Sequence, residues 1–90
     1  MKVIKIGAVW CSGCLVMKPR WSKIEAQFDW LDTTYYDYDQ DRQIIEMCNV
    51  DGENLPVSIF LDKSGKEINR FYGEIEEAEL IKRINEYRDR

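Results

Sequence analysis

A short apolar segment runs directly into a pair of cysteines, and this junction limits the possible folds more than any other feature of the chain. Lys2 to Val9 is rich in β-branched residues and apolar on both faces except at Lys5, which predicts a buried strand. The stretch from about Cys11 to Gln27 predicts a helix, which Pro19 should kink because proline cannot donate to the helical ladder. A second strand, predicted over Thr33 to Asp39, completes a strand–helix–strand unit with a right-handed crossover.

The rest of the chain alternates between apolar runs and turn residues. The predicted elements are a helix from Asp39 or Asp41 to about Cys48, a loop at Asp51 to Asn54, a strand over Leu55 to Leu61, a hairpin turn at Asp62 to Lys66, a returning strand over Glu67 to Tyr72 and an amphipathic helix over Ile75 to Tyr87. We expect Leu15 and Met47 among the inward-facing helical residues. The order β-α-β-α-β-β-α predicts a single α/β domain over residues 1–90, with a mixed four-stranded sheet and helices on both faces.

Charge and composition exclude several classes of protein. The 90 residues include 13 Lys and Arg against 17 Asp and Glu, a net charge of −4, with no basic cluster that would bind nucleic acid or an anionic membrane. The chain has no His, which excludes imidazole catalysis and imidazole metal ligands. No apolar run approaches the roughly 20 residues of a membrane span. Because Lys5 interrupts the apolar N-terminus, we interpret that segment as a strand of the mature protein rather than a signal peptide.

The C-x-x-C of Cys11 and Cys14 allows three interpretations: metal ligands, inert structural thiols or a redox centre. A closed zinc site needs four Cys or His ligands, and the chain offers only these two and Cys48, so a metal would have to be shared between two chains. The redox interpretation is favoured because Cys11 falls at a predicted helix N-terminus, where the helix dipole stabilises a thiolate. Cys14 lies one turn further and can attack a mixed disulfide, while Trp10 shields one side of the pair. We interpret Cys48 as a buried small hydrophobe.

Several motifs occur in an order that resembles the thioredoxin family over nearly the whole chain. They are W-C-S-G-C at Trp10 to Cys14, the helix proline Pro19, Asp39-Gln40 after the second strand, the pair Leu55-Pro56, the turn at Asp62 to Lys66, and Gly73. The resemblance begins at the strand before W-C-S-G-C. The family's first strand and helix therefore have no counterpart in this sequence, and we expect a minimal thioredoxin-like core.

The resemblance implies dithiol–disulfide exchange with protein disulfides. It implies that Cys11 is the nucleophile, that Cys14 is the resolving thiol, and that Pro56 is a cis-proline lying against the sulfur pair. The backbone of Leu55 would pair with an extended segment of the substrate. The substrate-binding residues implied in this way are Trp10, Ser12, Gly13, Leu55, Pro56 and Gly73.

The sequence departs from the family pattern at several places. Ser12-Gly13 stands between the cysteines in place of the usual Gly-Pro, and this dipeptide tunes the redox potential. The loop from Val50 to Pro56 is longer than in typical members. Lys5 stands where members commonly bury an aspartate that relays the proton of the resolving cysteine. We predict that Lys5 pairs with Asp37 and has a catalytic role in this relay; the alternative is that Lys5 extends along its apolar stem to the surface.

Together these inferences predict a cytoplasmic, monomeric thiol–disulfide oxidoreductase that reduces protein disulfides and needs no cofactor or metal. A reductase or a low-molecular-weight thiol would supply its electrons, and no nucleic-acid or membrane partner is expected. One alternative is a glutaredoxin-like, glutathione-coupled protein, against which stand Trp10, the single Gly73 and the acidic balance. The other is a non-catalytic binding module on the same fold, in which the cysteines are idle or hold a metal.

Overall fold

The strands and helices follow the order predicted from the sequence. The structure is a computed structural model that describes residues 1–90. Its elements are β1 (Lys2–Gly7), α1 (Ser12–Gln27), β2 (Asp32–Asp37), α2 (Arg42–Cys48), a 3-10 turn (Gly52–Asn54), β3 (Val57–Leu61), β4 (Glu67–Tyr72) and α3 (Glu77–Tyr87). Pro19 lies inside α1, which continues through it as one helix.

The four strands form one mixed sheet, as predicted, and their order in it is β2-β1-β3-β4. β1 runs parallel to β2, with α1 as the crossover between them, and antiparallel to β3. β3 and β4 form an antiparallel hairpin at the other side of the sheet. Because β1 is an inner strand, the segment that follows Gly7 leaves the sheet near its middle and carries the cysteine pair there.

The helices cover both faces of the sheet, which confirms the predicted layering. On one face α1 and α3 share a buried cluster with side chains of β1 and β3. Its members are Val3, Met17, Trp21, Ile24, Phe60, Leu80, Ile84 and Tyr87. On the opposite face Ile45 of α2 packs against Ile6, Val57 and Ile59. These two clusters hold the strands and helices that position the cysteine pair.

Two helical residues expected to face inward are exposed. Leu15 is 62% exposed and Met47 is 81% exposed, so both predictions are wrong. The buried residues of α1 follow helical spacing from Met17 onward, and Leu15 lies two residues before Met17, about 200° away around the helix. Met47 is likewise two residues from the buried Ile45 in α2. The position of each residue around its helix, rather than its hydrophobicity, decides which side it faces.

One strand boundary and one helix cap also differ from the prediction, because aspartate side chains bind nearby backbone groups. β2 ends at Asp37 rather than Asp39, because the Asp37 carboxylate accepts the backbone N–H groups of Asp39 at 2.9 Å and Gln40 at 3.0 Å and so forms a turn. Asp41 precedes α2 as predicted, but its side chain does not cap that helix. It accepts the N–H of Asp37 at 2.8 Å instead.

Candidate active site

The cysteine pair lies at the N-terminus of α1. Cys11 is the residue before the first helical turn, and its sulfur accepts the backbone N–H of Cys14 at 3.2 Å. The sulfurs of Cys11 and Cys14 lie at disulfide distance, and their Cα atoms are 5.3 Å apart. Cys11 is 9% exposed and Cys14 is partly buried. The extended backbone at Cys11 turns into helix at Ser12, and this turn brings the two sulfurs together across one turn of helix.

Pro56 and Gly73 lie beside the cysteine pair although they come from distant parts of the sequence. The Leu55–Pro56 peptide bond is cis, as the family resemblance implies. A Cβ atom on Gly13 would lie 3.1 Å from Cδ of Pro56, so the proline ring packs directly against the segment between the cysteines. Gly73, at φ +82°, donates its N–H to the carbonyl of Pro56 at 2.7 Å. The absence of a side chain at Gly13 permits this close contact.

Trp10 stands on the surface next to Cys11 and is held by two contacts. Its indole Nε1–H donates to the Asp39 carboxylate at 2.7 Å. Its ring meets Tyr38 edge to face, with 6.1 Å between the ring centroids. The indole is nevertheless 57% exposed, so it covers the site without closing it. Asp39, placed after the second strand by the sequence, therefore orients the tryptophan.

Apolar side chains next to the cysteine pair are exposed to solvent. They are Val9, Trp10, Leu15, Val16 and Tyr72, which precedes Gly73. Isolated exposed apolar residues are ordinary on a protein surface. Four of these five lie within two residues of Cys11 or Cys14 in the sequence, and such a patch indicates an interaction surface around the disulfide.

A cavity of about 460 Å³ lies behind the pair, lined by Cys14 and Tyr35 among others. A Cβ on Gly7 would lie 3.0 Å from Sγ of Cys14 and 3.2 Å from the hydroxyl oxygen of Tyr35. Gly7 therefore lets the phenol approach the back of the resolving cysteine. The pKa of Tyr35 is raised above its usual value of 10, chiefly by partial desolvation, although the residue as a whole is 53% exposed, and further by the negative charges of Asp37 and Asp41. Tyr35 is therefore a neutral hydroxyl at neutral pH.

Lys5 lines the same cavity, but its partner differs from the predicted one. Its ammonium Nζ lies 2.5 Å from Oε2 of Glu25 on α1 and 5.7 Å from the ring centroid of Trp21. The predicted Lys5–Asp37 pair is therefore wrong, and the carboxylate of Asp37 is occupied by the turn after β2. Lys5 does not extend freely to the surface either, since its side chain is 17% exposed. The face of β1 that carries Lys5 packs on α1, and α1 supplies the counter-charge.

Cys48 stands apart from the disulfide, as a free and partly buried thiol at the end of α2. Burial raises the pKa of Cys48 above the usual cysteine value, the Arg70 cation lowers it and the Glu67 carboxylate raises it. A raised pKa keeps the thiol protonated and unreactive near neutral pH. Its packing near Ile45 and Val57 agrees with the prediction of a small hydrophobe, although burial is incomplete.

A disulfide at a helix N-terminus, with a cis-proline against it and a tryptophan before it, defines a thiol–disulfide oxidoreductase of the α/β class. A family model described as Thioredoxin matches residues 1–86. The chain therefore belongs to the thioredoxin family, and it is a disulfide oxidoreductase whose redox-active pair is Cys11 and Cys14 in a W-C-x-x-C motif. Membership of this family assigns the chain to cell redox homeostasis and implies protein disulfides as its substrates.

Solved thioredoxin structures agree with this assignment. Thioredoxin 1 of Thermosipho africanus is 30% identical, with a TM-score of 0.82, over 97% of this chain and 93% of that one. A thioredoxin of Fasciola hepatica is 26% identical, with a TM-score of 0.84, over 94% of this chain and 78% of that one. A thioredoxin of Nicotiana alata is 28% identical, with a TM-score of 0.81, over 96% of this chain and 73% of that one. No curated protein sequence matches the chain. None of its helices combines the length and apolar character needed to cross a membrane.

The site also contains residues that sequence reasoning did not single out. Glu25 is the partner of Lys5, and its position on the helix that follows the cysteines is the only sequence signal for it. Tyr35 is a second such residue, because nothing in the sequence indicates that its hydroxyl approaches Cys14. Glu74 approaches the segment between the cysteines, and it carries no sequence signal beyond its place after Gly73.

Proposed function

We propose that this protein reduces the disulfides of other proteins, with Cys11 as the attacking thiol and Cys14 as the resolving thiol. The observation that best supports this proposal is the position of Cys11 just before α1, where the backbone N–H of Cys14 donates to the Cys11 sulfur, with 3.2 Å between nitrogen and sulfur. In the reduced protein this donor and the positive end of the helix dipole would stabilise a Cys11 thiolate. Cys14, which is partly buried, lies beside Gly7 and lines the cavity, with its sulfur at disulfide distance from that of Cys11.

The exchange proceeds in two balanced steps. The Cys11 thiolate attacks one sulfur of the substrate disulfide, whose S–S bond breaks, and the departing thiolate takes up a proton. The product is a mixed disulfide between Cys11 and the substrate. The Cys14 thiolate then attacks the Cys11 sulfur, which forms the Cys11–Cys14 disulfide and releases the second substrate thiolate. Two electrons pass to the substrate, and the two cysteines of this protein end oxidised.

The proposed substrate groove comprises the residues around Pro56. The contact of Pro56 with Gly13 and the hydrogen bond from Gly73 support a groove at this place. An extended substrate segment would pair with the backbone of Leu55, as in strand addition. Trp10 and Ser12, both exposed beside Cys11, would contact the chain on either side of the substrate cysteine.

The compartment, the electron donor and the oligomeric state are parts of the same proposal. We place the protein in the cytoplasm, where thiols are kept reduced and a disulfide-reducing protein can be recycled. Its electron donor would be a reductase or a low-molecular-weight thiol. The protein would act as a monomer, because the exposed apolar side chains cluster at the site where a substrate must reach Cys11.

The role of Lys5 in the proton transfer of Cys14 stays a prediction. It is supported by the cavity that Lys5 and Cys14 both line. The partner of Lys5, however, lies eleven residues beyond Cys14 on α1, which is about 16 Å along the helix axis. Lys5 could therefore influence Cys14 only across the cavity that both residues line, because its ion pair with Glu25 does not extend to Cys14.

The decisive experiment compares three single cysteine variants in the reduction of a protein disulfide. Cys11→Ser should abolish the reaction, and Cys14→Ser should accumulate a mixed disulfide with the substrate that is seen as a mass adduct on Cys11. Cys48→Ser serves as the control, because Cys48 is outside the pair, and it should keep the wild-type rate. The proposal fails if Cys14→Ser forms no adduct, or if the Cys11→Ser variant still turns over.

A further inference from the structure

Glu74 places an unpaired carboxylate beside the cysteine pair. A Cβ on Gly13 would lie 3.5 Å from Cγ and 3.7 Å from Oε2 of Glu74, so the carboxylate stands over the segment that joins the two cysteines. Glu74 is exposed and takes part in none of the side-chain hydrogen bonds or ion pairs of the protein. Its negative charge is therefore presented to whatever approaches Cys11.

The backbone on both sides of Glu74 is anchored. Gly73 donates its N–H to the carbonyl of Pro56 at 2.7 Å. On the other side the carbonyl of Ile75 accepts the guanidinium Nη1 of Arg20 at 2.8 Å. Arg20 is thus engaged with the backbone and makes no ion pair with Glu74. The anchored backbone fixes the point from which the Glu74 side chain extends, so binding a substrate charge there needs no ordering of the loop itself.

The other charges around the pair do not cancel this carboxylate. Asp39 adds a second negative group, held by the indole N–H of Trp10 at 2.7 Å. The nearest cation along α1 is Lys18, exposed one turn after Cys14 on the side of the cavity. The whole chain also carries a net charge of −4. A substrate thus meets a negative potential at the point where its disulfide must react.

We propose that Glu74 selects among disulfide substrates by charge, favouring those with Lys or Arg next to the reacting cysteine and disfavouring anionic ones such as glutathione disulfide. This inference deepens the proposed function and rests on it. An exposed carboxylate a few ångströms from a substrate charge changes the rate by about three- to ten-fold, in opposite directions for cations and anions, and salt weakens the effect.

The test uses three small disulfides that differ in charge: cystamine with two ammonium groups, hydroxyethyl disulfide with none, and dithiodipropionate with two carboxylates. The reduced protein is mixed with each in excess, and the rate constant for oxidation of Cys11 and Cys14 is measured by tryptophan fluorescence. The readout is the ratio of the cystamine rate to the dithiodipropionate rate. Any general change in the reactivity of Cys11 alters both rates equally and leaves this ratio unchanged.

The variants separate charge from structure. In Glu74→Gln the ratio should fall by about ten-fold or more, since the cystamine rate falls and the dithiodipropionate rate rises, and in Glu74→Lys it should fall further, whereas the hydroxyethyl disulfide rate should change little. Glu46→Gln is the matched control, because Glu46 is another exposed carboxylate without a side-chain ion pair, located on α2. Its ratio should equal that of the wild type. At high salt the wild-type ratio should approach that of Glu74→Gln.

Two different failures can be told apart. If Glu74→Gln and Glu74→Lys both keep the ratio of the wild type, the selection by Glu74 is overturned, while disulfide reduction itself stays intact. No reaction of the wild type with the neutral hydroxyethyl disulfide, by contrast, overturns the proposed function and with it this inference. If Glu46→Gln lowers the ratio as much as Glu74→Gln does, the effect comes from net charge, and the role of Glu74 is also overturned.

Discussion

At the scale of single residues, Lys5 shows how a charge inside a small protein finds its partner. Its side chain is 17% exposed, that of Glu25 is 34% exposed, and the ammonium also lies over the ring of Trp21. An ion pair this accessible to water stabilises a protein by about 1 kcal/mol or less. Removing one partner, however, leaves the other charge partly desolvated. Lys5 therefore contributes to both stability and the electrostatics of the cavity behind Cys14.

We predict that Lys5→Met lowers the free energy of unfolding by about 1 kcal/mol, and that Lys5→Met with Glu25→Gln costs less than the sum of the two single substitutions. Urea denaturation of the four proteins of this cycle measures the coupling. Lys23→Met is the control, because Lys23 is an exposed lysine of α1 without an ion pair, and it should leave stability nearly unchanged. Additive effects of Lys5→Met and Glu25→Gln would contradict the pairing.

The same variant tests the predicted relay. Loss of the Lys5 cation should move the titration of the Cys14 thiol to higher pH and slow the release of the mixed disulfide, because a cation lining the same cavity favours the thiolate. The measurements are alkylation of Cys14 against pH in a Cys11→Ser background, and the rate of the second exchange step in Lys5→Met alone. If neither changes, Lys5 has no part in the proton transfer.

At the scale of structural elements, the turn between β3 and β4 is organised by one carboxylate. Oδ1 of Asp62 accepts the Ser64 backbone N–H at 2.9 Å, the Ser64 hydroxyl at 2.7 Å and the Lys66 backbone N–H at 2.9 Å. The hydroxyl of Ser64, followed by the N–H of Lys66, holds the pKa of Asp62 below its usual value. Asp62 thereby sets the turn that aligns β4, at whose far end Gly73 and Glu74 reach the active site.

We predict that Asp62→Ala lowers the melting temperature at pH 7 and that this difference from the wild type disappears in acid. A lowered pKa in the folded state means stability that is present above the unfolded-state pKa of about 3.9 and is lost as pH falls through the folded-state value. Thermal unfolding from pH 7 down to pH 2 measures the difference. Asp29→Ala is the control, because Asp29 is exposed and makes no side-chain hydrogen bond, and it should show no such dependence.

At the scale of the whole molecule, the protein has two buried clusters separated by the sheet, and the larger one includes both α1 and α3. Ile84 of α3 is 0% exposed in that cluster. Its truncation would create a cavity against the helix that carries the cysteine pair. Because strands of the one sheet contribute to both clusters, we expect the loss of either cluster to unfold the entire chain.

We predict that Ile84→Ala lowers the free energy of unfolding by about 2–5 kcal/mol, through lost burial and the remaining cavity. Leu15→Ala, at a position 62% exposed, should change it by no more than about 0.5 kcal/mol. Denaturant unfolding followed by circular dichroism and by tryptophan fluorescence supplies both values. Coincident curves would support the prediction that residues 1–90 are a single domain, and two separate transitions would contradict it.

The sequence by itself was sufficient wherever the deciding residues lie close together in the chain. The strand that ends before Cys11, the helix that begins after it and the turn at Asp62 all follow from local propensity, capping and turn chemistry. The cis peptide at Pro56 was predicted from the family motif and not from local chemistry, which favours trans at most proline bonds. These features together predicted both the fold and the redox pair.

The tertiary structure alone decided which distant groups meet. Lys5 and Glu25 are 20 residues apart, and their pairing depends on which face of β1 packs on α1. The exposure of Leu15 depends on the rotation of α1 against the sheet, and the approach of Glu74 to Gly13 depends on how the end of β4 is anchored to Pro56. The physical reason is that periodicity indicates which residues share a face but not what that face packs against. Side-chain partners across elements are determined only when the helices pack on the sheet.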